Sequence, residues 1–284
     1  MTLFRELLTD AKKNGYAIPA INVQSAETMD AVFSAAANSR SPVIVALAHS
    51  HAGYTYNYTH ISTIATLFED ARKRYHVNAC LHVDHGRTFK FIEQAIGLGF
   101  HSVMIDASEH AYDKNVKIVK EVTSYAHEHG VSVEAELGHV GKGEAFDWQE
   151  AIENTFTIPS EAAAFAVATR IDALAVAFGT KHGVYKSAPK LDLSRLRVIA
   201  DVTSVPLVMH GTSGLTDHDI KCAIESGISK VNIFTEIAET AKQAFLRATE
   251  NPEVRFPDAL VVARTAFQER VEHYMTVCGS AGRA

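Results

Sequence analysis

Residues 79–85 read Ala-Cys-Leu-His-Val-Asp-His, a short apolar run that ends in a carboxylic acid and an imidazole. Two later runs are closed by histidine in a similar way: residues 173–178 precede His182, and residues 206–209 precede His210. In parallel barrels the functional side chains lie at the carboxyl ends of the strands. The placement of these histidines therefore bears on both the fold and the chemistry of the protein.

Near-continuous apolar runs recur along the whole chain, which is the pattern of parallel strands buried on both faces. The candidate strands are residues 17–23, 43–48, 79–83, 102–105, 132–137, 173–178, 206–209 and 230–233. The segments between them have helical periodicity. Residues 112–129 carry one apolar face, and in residues 216–226 the pair Thr216 and Asp219 resembles a capping box.

Eight strand–helix alternations in 284 residues predict an α/β fold, a (β/α)8 TIM barrel. We expect a single domain over residues 1–284, with one extra C-terminal helix at residues 258–275 outside the barrel. A doubly wound open sheet is the main alternative. The first strand is not followed by Gly-x-Gly-x-x-Gly, which weakens a dinucleotide-binding version of that alternative.

Composition excludes several classes of protein. The net charge of -6 argues against generic nucleic-acid binding, which favours basic surfaces. No apolar run is long enough for a membrane span, and the first residues lack the pattern of a signal peptide. Three widely spaced cysteines with no Cys-x-x-Cys fit a reducing compartment, so we expect a cytoplasmic protein.

The three histidines at strand ends predict a metal site. Neutral imidazole suits zinc, and three ligands with an open fourth position are typical of a catalytic zinc ion. Asp84 precedes His85 and would supply or take a proton beside the metal. Asp106 and Glu136 also fall at strand ends, where they are further metal ligands, groups that orient a histidine, or solvated side chains.

Three loops add polar chemistry. Residues 211–214, Gly-Thr-Ser-Gly, and residues 232–235, Asn-Ile-Phe-Thr, follow the last two strands, where barrels often bind phosphate. Residues 138–144 contain three glycines within their first six positions and end in Glu144, so they are either a mobile lid or a surface loop. His49 and His51 follow the second strand and could edge the pocket.

With these motifs in place, the chain resembles the class II, metal-dependent ketose-bisphosphate aldolases, most closely the tagatose-bisphosphate aldolase branch. The likeness covers essentially the whole chain. The matching motifs include Tyr-Ala-Ile-Pro-Ala-Ile-Asn at 16–22, His-Val-Asp-His-Gly at 82–86, Val-Glu-Ala-Glu-Leu-Gly at 133–138, His-Gly-Thr-Ser-Gly at 210–214 and Lys-Val-Asn at 230–232.

The resemblance implies a role for each matching residue. His85, His182 and His210 would bind one catalytic Zn²⁺, and Asp106 and Glu136 match positions linked with the metal region, where a second divalent or monovalent cation is a further expectation. Asp84 would exchange a proton with the C4 hydroxyl, and Glu144 would work at the dihydroxyacetone phosphate carbon. The expected substrate-binding residues are Asn22, Gly183, Gly211, Thr212, Ser213, Asn232, Phe234 and Thr235.

The implied reaction is reversible cleavage of a ketose 1,6-bisphosphate, with tagatose-1,6-bisphosphate favoured, to dihydroxyacetone phosphate and glyceraldehyde 3-phosphate. Fructose-1,6-bisphosphate or another phosphorylated ketose stays open, because Phe234 stands where relatives commonly carry a small or acidic residue. The family also implies a homodimer or homotetramer. A non-catalytic accessory subunit and a barrel metallohydrolase are the competing functions.

Overall fold

The computed structural model describes residues 3–138, 141–142, 155–182 and 190–284, and of residues 141, 142 and 182 it describes the backbone. Eight parallel strands close into a barrel in the order β1-β8-β7-β6-β5-β4-β3-β2. In chain order, β1 to β8 are Ile18–Asn22, Val43–Ala48, Ala79–Gly86, Ser102–Ile105, Ser132–Leu137, Ala173–Val176, Leu207–Met209 and Ile228–Ile233. The closed ring confirms the TIM barrel and excludes the open sheet.

Ten α-helices surround this barrel in the part of the chain that the structure describes. In chain order, α1 to α10 are Leu3–Asn14, Ala26–Ser39, Ile61–Tyr75, Phe89–Gly97, Tyr112–Glu128, Pro159–Thr169, Leu193–Val202, Asp217–Glu225, Thr235–Thr249 and Phe256–Val277. Within the described ranges, no helix has the length and apolar character needed to cross a membrane.

Local sequence accounts for the ends of several helices. Helix α8 begins with the predicted capping box: the Thr216 hydroxyl accepts from Asp219 N at 3.1 Å, and the Asp219 carboxylate accepts from Thr216 N at 3.0 Å. The extra C-terminal helix is confirmed as α10, which packs against α2 and α9. It begins two residues earlier than expected, because Pro257 suits the first turn of a helix.

The barrel interior is apolar at its amino-terminal end. Helix α1 covers this end and buries Phe4 and Leu8 against inward-facing side chains such as Ile18, Cys80 and Val208. The Phe4 ring stacks on His82 with 5.3 Å between ring centroids and 9° between planes. Helix α1 therefore separates the polar side chains higher in the barrel from water at this end.

We predict that Phe4→Ala lowers the free energy of unfolding by about 3–5 kcal/mol, because it removes a fully buried ring and leaves a cavity under His82. Thr9→Ala, on the exposed face of the same helix, should change it by less than about 0.5 kcal/mol. Urea unfolding followed by circular dichroism measures both. Equal stability of the two variants would show that α1 does not seal the barrel.

Candidate active site

Polar side chains collect inside the carboxyl-terminal half of the barrel. Every second residue of a strand faces the barrel interior. Along several strands these inward-facing positions change from apolar at the amino-terminal end to polar at the carboxyl-terminal end. Asn22 follows Ile18 and Ala20 on β1, Asp84 follows Cys80 and His82 on β3, and similar alternation holds on the strands opposite. These inward-facing side chains are Asn22, His82, Asp84, Glu134, Glu136, Lys230 and Asn232, and His210 directly follows β7.

Asp84 and His85 reach the same site although they are neighbours in the chain. Strict alternation would point them to opposite faces. The pairing of β3 with β4 shifts register between Val83 and Gly86, and His85 has a φ of +47°, in the left-handed region. Bulges and such backbone angles concentrate at functional sites, where they re-aim a side chain. The irregular strand end therefore lets both side chains face the barrel opening.

Three donor atoms converge at this point. Asp84 Oδ1 lies 3.8 Å from His85 Nε2 and 3.9 Å from His210 Nδ1. The two imidazole rings meet edge to face with 4.6 Å between their centroids. Asp84, His85 and His210 thus form a group whose ligand atoms lie within 4.8 Å of one another, and His85, Asp106 and Glu136 form a second such group. Imidazoles with a carboxylate are a donor set that fits zinc.

A carboxylate contacts the ring nitrogen of His85, and another that of His210, that points away from the group of donor atoms. His85 Nδ1 lies 2.8 Å from Asp106 Oδ2, and His210 Nε2 lies 2.9 Å from Glu134 Oε1. A carboxylate on one ring nitrogen fixes the orientation and tautomer of the imidazole and leaves the other nitrogen for a metal. For Asp106, the contact with His85 favours the orienting role among the three that its sequence position allowed.

The electrostatics of the site favour a positive charge at its centre. Burial acts to lower the pKa of His85, but Asp84, Asp106 and Glu136 outweigh it and raise that pKa to about 9. Burial acts to raise the pKa of Asp106, yet His85 and Arg87 hold it below its usual range. A group of carboxylates that stabilises an imidazolium also suits a bound cation, so the residues present fit a metal ion.

Asp84 is positioned by two amides, one on each oxygen. Asn22 Nδ2 donates to Oδ2 at 2.9 Å, and Asn232 Nδ2 donates to Oδ1 at 2.9 Å. Burial acts to raise the pKa of Asp84, but His85, His210 and Lys230 outweigh it and hold that pKa below its usual range. Asp84 is therefore an oriented carboxylate at the floor of the pocket.

The loops predicted to hold phosphate border the same pocket. Gly211 has a φ of +71°, and a Cβ there would lie 2.5 Å from the backbone of Lys181. Helix α9 begins at Thr235, so backbone amides of a helix start are close by. Thr212 was expected to bind substrate; its hydroxyl donates to Asn232 O at 2.6 Å and so links the two loops.

Three predicted residues need separate mention. Glu144 and Gly183 lie outside the described residues, and for His182 the structure describes only the backbone. The segment Gly141–Lys142 pairs in parallel with Lys181–His182, so the loops after β5 and β6 meet above the barrel. Lys181 also packs on Gly211, which brings the backbone before His182 against the loop that follows His210.

One pocket contains every other predicted site residue. It is lined by Asn22, Asp84, His85, Asp106, Glu136, His210, Gly211, Thr212, Ser213, Asn232, Phe234 and Thr235. Sequence reasoning missed Arg87, which lines the pocket and pairs with Asp106 at 3.1 Å. His51 lines it as expected, whereas His49 stacks on Phe91 and accepts from Arg87 N.

A parallel barrel with imidazoles and carboxylates gathered at its carboxyl end defines a TIM-barrel enzyme with a candidate metal site. The sequence model of the family described as fructose-bisphosphate aldolase class-II matches residues 2–283. The chain therefore belongs to the class II fructose-bisphosphate aldolase family; it is an aldolase, a carbon–carbon lyase. This family implies a phosphorylated sugar as substrate.

Solved structures agree with this assignment. The YdjI aldolase from Escherichia coli K12 is 35% identical with a TM-score of 0.87, over 99% of this chain and 98% of that one. A candidate fructose-1,6-bisphosphate aldolase from Coccidioides immitis is 30% identical with a TM-score of 0.84, over 98% and 96%. The fructose-bisphosphate aldolase (Fba) from Campylobacter jejuni, 24% identical with a TM-score of 0.84 over 99% and 95%, shares the fold.

We predict that Asp106→Ala weakens zinc binding about 10- to 100-fold, because His85 Nδ1 loses the acceptor that orients the ring. Competition with a chromophoric chelator measures the affinity. Ser108→Ala is the matched control, since Ser108 donates to Asp106 Oδ1, whereas His85 is bonded to Oδ2. An unchanged affinity in Asp106→Ala would remove Asp106 from the metal site.

Proposed function

We propose that this aldolase is zinc-dependent and reversibly cleaves a ketose 1,6-bisphosphate, with tagatose-1,6-bisphosphate favoured, to dihydroxyacetone phosphate and glyceraldehyde 3-phosphate. The observation that carries the proposal is the position of Asp84. It lies within 4 Å of one nitrogen on each of His85 and His210, and amides hold both of its oxygens. A carboxylate so placed can act on a substrate that the metal ligands surround.

In this proposal His85, His182 and His210 hold the zinc ion, with Asp106 behind His85. Zinc bound there would supply a Lewis acid that polarises the ketone and stabilises the negative charge left by carbon–carbon cleavage. The carboxylates of Asp106 and Glu136, which form a group with His85, would accommodate a second divalent or monovalent cation. Both assignments rest on the donor chemistry and on the family's metal dependence.

Asp84 then moves the proton on which cleavage depends. The C4 hydroxyl must lose its proton as the C3–C4 bond breaks, and a carboxylate at its side accepts it as general base. In condensation the same group returns the proton as general acid. The two amides keep the carboxylate aimed while its charge changes. Glu144 would exchange a proton at the dihydroxyacetone phosphate carbon, and it lies outside the described residues.

The phosphate of the dihydroxyacetone half would lie on the loops after β7 and β8. Gly211, Thr212 and Ser213 offer backbone amides, and the first turn of α9 adds further N–H groups. The remaining substrate-binding residues in the proposal are Asn22, Gly183, Asn232 and Thr235.

Phe234 bears on the choice of sugar. Its ring lies 4.9 Å from the ring of His51, which also packs on Tyr58 at 5.4 Å, so aromatic side chains form one wall of the pocket. Phe234 stands on the loop after β8, so this wall narrows the pocket beside the loops proposed for the phosphate. Fructose-1,6-bisphosphate or another phosphorylated ketose is the alternative substrate. The proposal also places the enzyme in the cytoplasm as a homodimer or homotetramer.

We predict that Asp84→Ala lowers kcat by about 10²- to 10⁴-fold, because the C4 hydroxyl loses its proton acceptor. A coupled assay for dihydroxyacetone phosphate release measures turnover, and metal analysis of the same sample measures zinc. Zinc should stay bound through the histidines. Loss of zinc would instead make Asp84 a metal ligand, and near-normal rates would remove it from proton transfer.

A kinetic comparison of tagatose-1,6-bisphosphate with fructose-1,6-bisphosphate tests the substrate. We expect a higher kcat/KM for the first, complete loss of activity after zinc is removed by a chelator, and recovery when zinc is returned. A higher kcat/KM for fructose-1,6-bisphosphate would instead make that sugar the substrate. Purified, zinc-loaded chain that is inactive on both sugars and on other ketose phosphates, yet stimulates a partner, would favour the accessory-subunit alternative.

A further inference from the structure

A lysine lies inside the barrel directly below the candidate metal site. Lys230, on β8, has no solvent exposure, and Glu134, on β5, has none either. Lys230 Nζ and Glu134 Oε2 lie 2.9 Å apart. Strands β5 and β8 are separated by β6 and β7 in the barrel, so the ion pair crosses the interior. Removing two charges from water costs free energy that their pairing often does not recover. A buried ion pair therefore suggests a role other than stability.

One such role involves the contact of Glu134 with His210. Glu134 Oε1 lies 2.9 Å from His210 Nε2. A carboxylate only accepts hydrogen bonds, so Nε2 carries the hydrogen and the lone pair of the neutral ring is on Nδ1. His210 Nδ1 is the atom that lies 3.9 Å from Asp84 in the candidate metal site. Glu134 thus determines which His210 nitrogen can bind a metal.

The other role involves the contact of Lys230 with Asn232. Lys230 Nζ donates to Asn232 Oδ1 at 2.6 Å. An ammonium group has no acceptor, so the amide atom that it contacts must be the oxygen. The amide nitrogen of Asn232 is thereby turned away, and it lies 2.9 Å from Asp84 Oδ1 and 3.3 Å from His210 Nδ1.

We propose that Lys230 is a positioning residue that serves both halves of the site. Through Glu134 it presents His210 Nδ1 to the metal, and through Asn232 it orients the carboxylate of Asp84. The inference rests on the proposed metal-dependent function, since it assigns the geometry of that same site. It accounts for a buried lysine and a buried glutamate that the proposed proton transfers do not use.

The test uses the double variant Lys230→Met/Glu134→Gln, which removes both charges together. Lys230→Met alone would leave the Glu134 charge buried and unpaired, which is strongly destabilising. The matched control is Ser229→Ala, because Ser229 is the equally buried neighbour of Lys230 on β8 and its hydroxyl forms no hydrogen bond with any residue that the structure describes. Circular dichroism and thermal unfolding show whether each variant folds.

The first readout is the His210 tautomer in metal-free protein, from nitrogen-15 NMR of the imidazoles, with His210→Asn used to assign the signal. Wild type and Ser229→Ala should show hydrogen on Nε2, and the double variant a mixture of tautomers. Hydrogen on Nδ1 in metal-free wild type would overturn the proposal, and this measurement requires no variant to fold.

The second readout is zinc affinity from chelator competition, which should fall about 10- to 100-fold in the double variant. Turnover should show a lower kcat with a smaller change in KM, because Asp84 is misaligned while the phosphate loops are intact. A folded double variant with wild-type tautomer and zinc affinity would overturn the proposal. Wild-type protein that binds zinc with the Nε2–H tautomer yet cleaves no ketose phosphate would instead refute the proposed function.

Discussion

Charge balance inside the closed barrel is the constraint on which the candidate site depends. Helix α1 separates the lower interior from water, so each carboxylate above it must meet a cation or a hydrogen-bond donor. Glu134 meets Lys230, and Asp106 meets Arg87. Asp84 is the carboxylate at the centre of these contacts, and it is held by neutral amides and faces two imidazoles. The arrangement leaves the pocket ready for a positive charge.

Much of the fold could be predicted because its determinants are local or periodic. Apolar runs, capping residues and glycine turns lie within a few positions of one another, and all eight predicted strands are present in the barrel. Alternation along β8 also turns Lys230 and Asn232 to the same face. The barrel rule predicted that His85 and His210 lie at the same end of the barrel, since both stand where strands end.

What the sequence could not provide was the relation between distant residues. Lys230 sits between Ser229 and Val231 on β8, and its partner Glu134 is 96 positions earlier and on the far side of the barrel. A buried lysine in a strand indicates a carboxylate partner, but no local sequence pattern identifies which residue supplies it. The left-handed backbone conformation of His85 could not be predicted either, because the residue type histidine does not indicate a positive φ. That irregularity is what lets Asp84 and His85 share one site.

Reaction type and substrate are controlled by different parts of this architecture. Asp84 and His85 stand on β3 and His210 directly follows β7, and the spacing of these strands is fixed by the closed ring of hydrogen bonds. The aromatic wall of His51 and Phe234 stands on segments beyond the strand ends, where side chains can change without disturbing barrel closure. Two relatives can therefore share the same buried charges and still differ in the side chains that border the pocket. For this reason the buried network supports an aldol site more firmly than any one ketose.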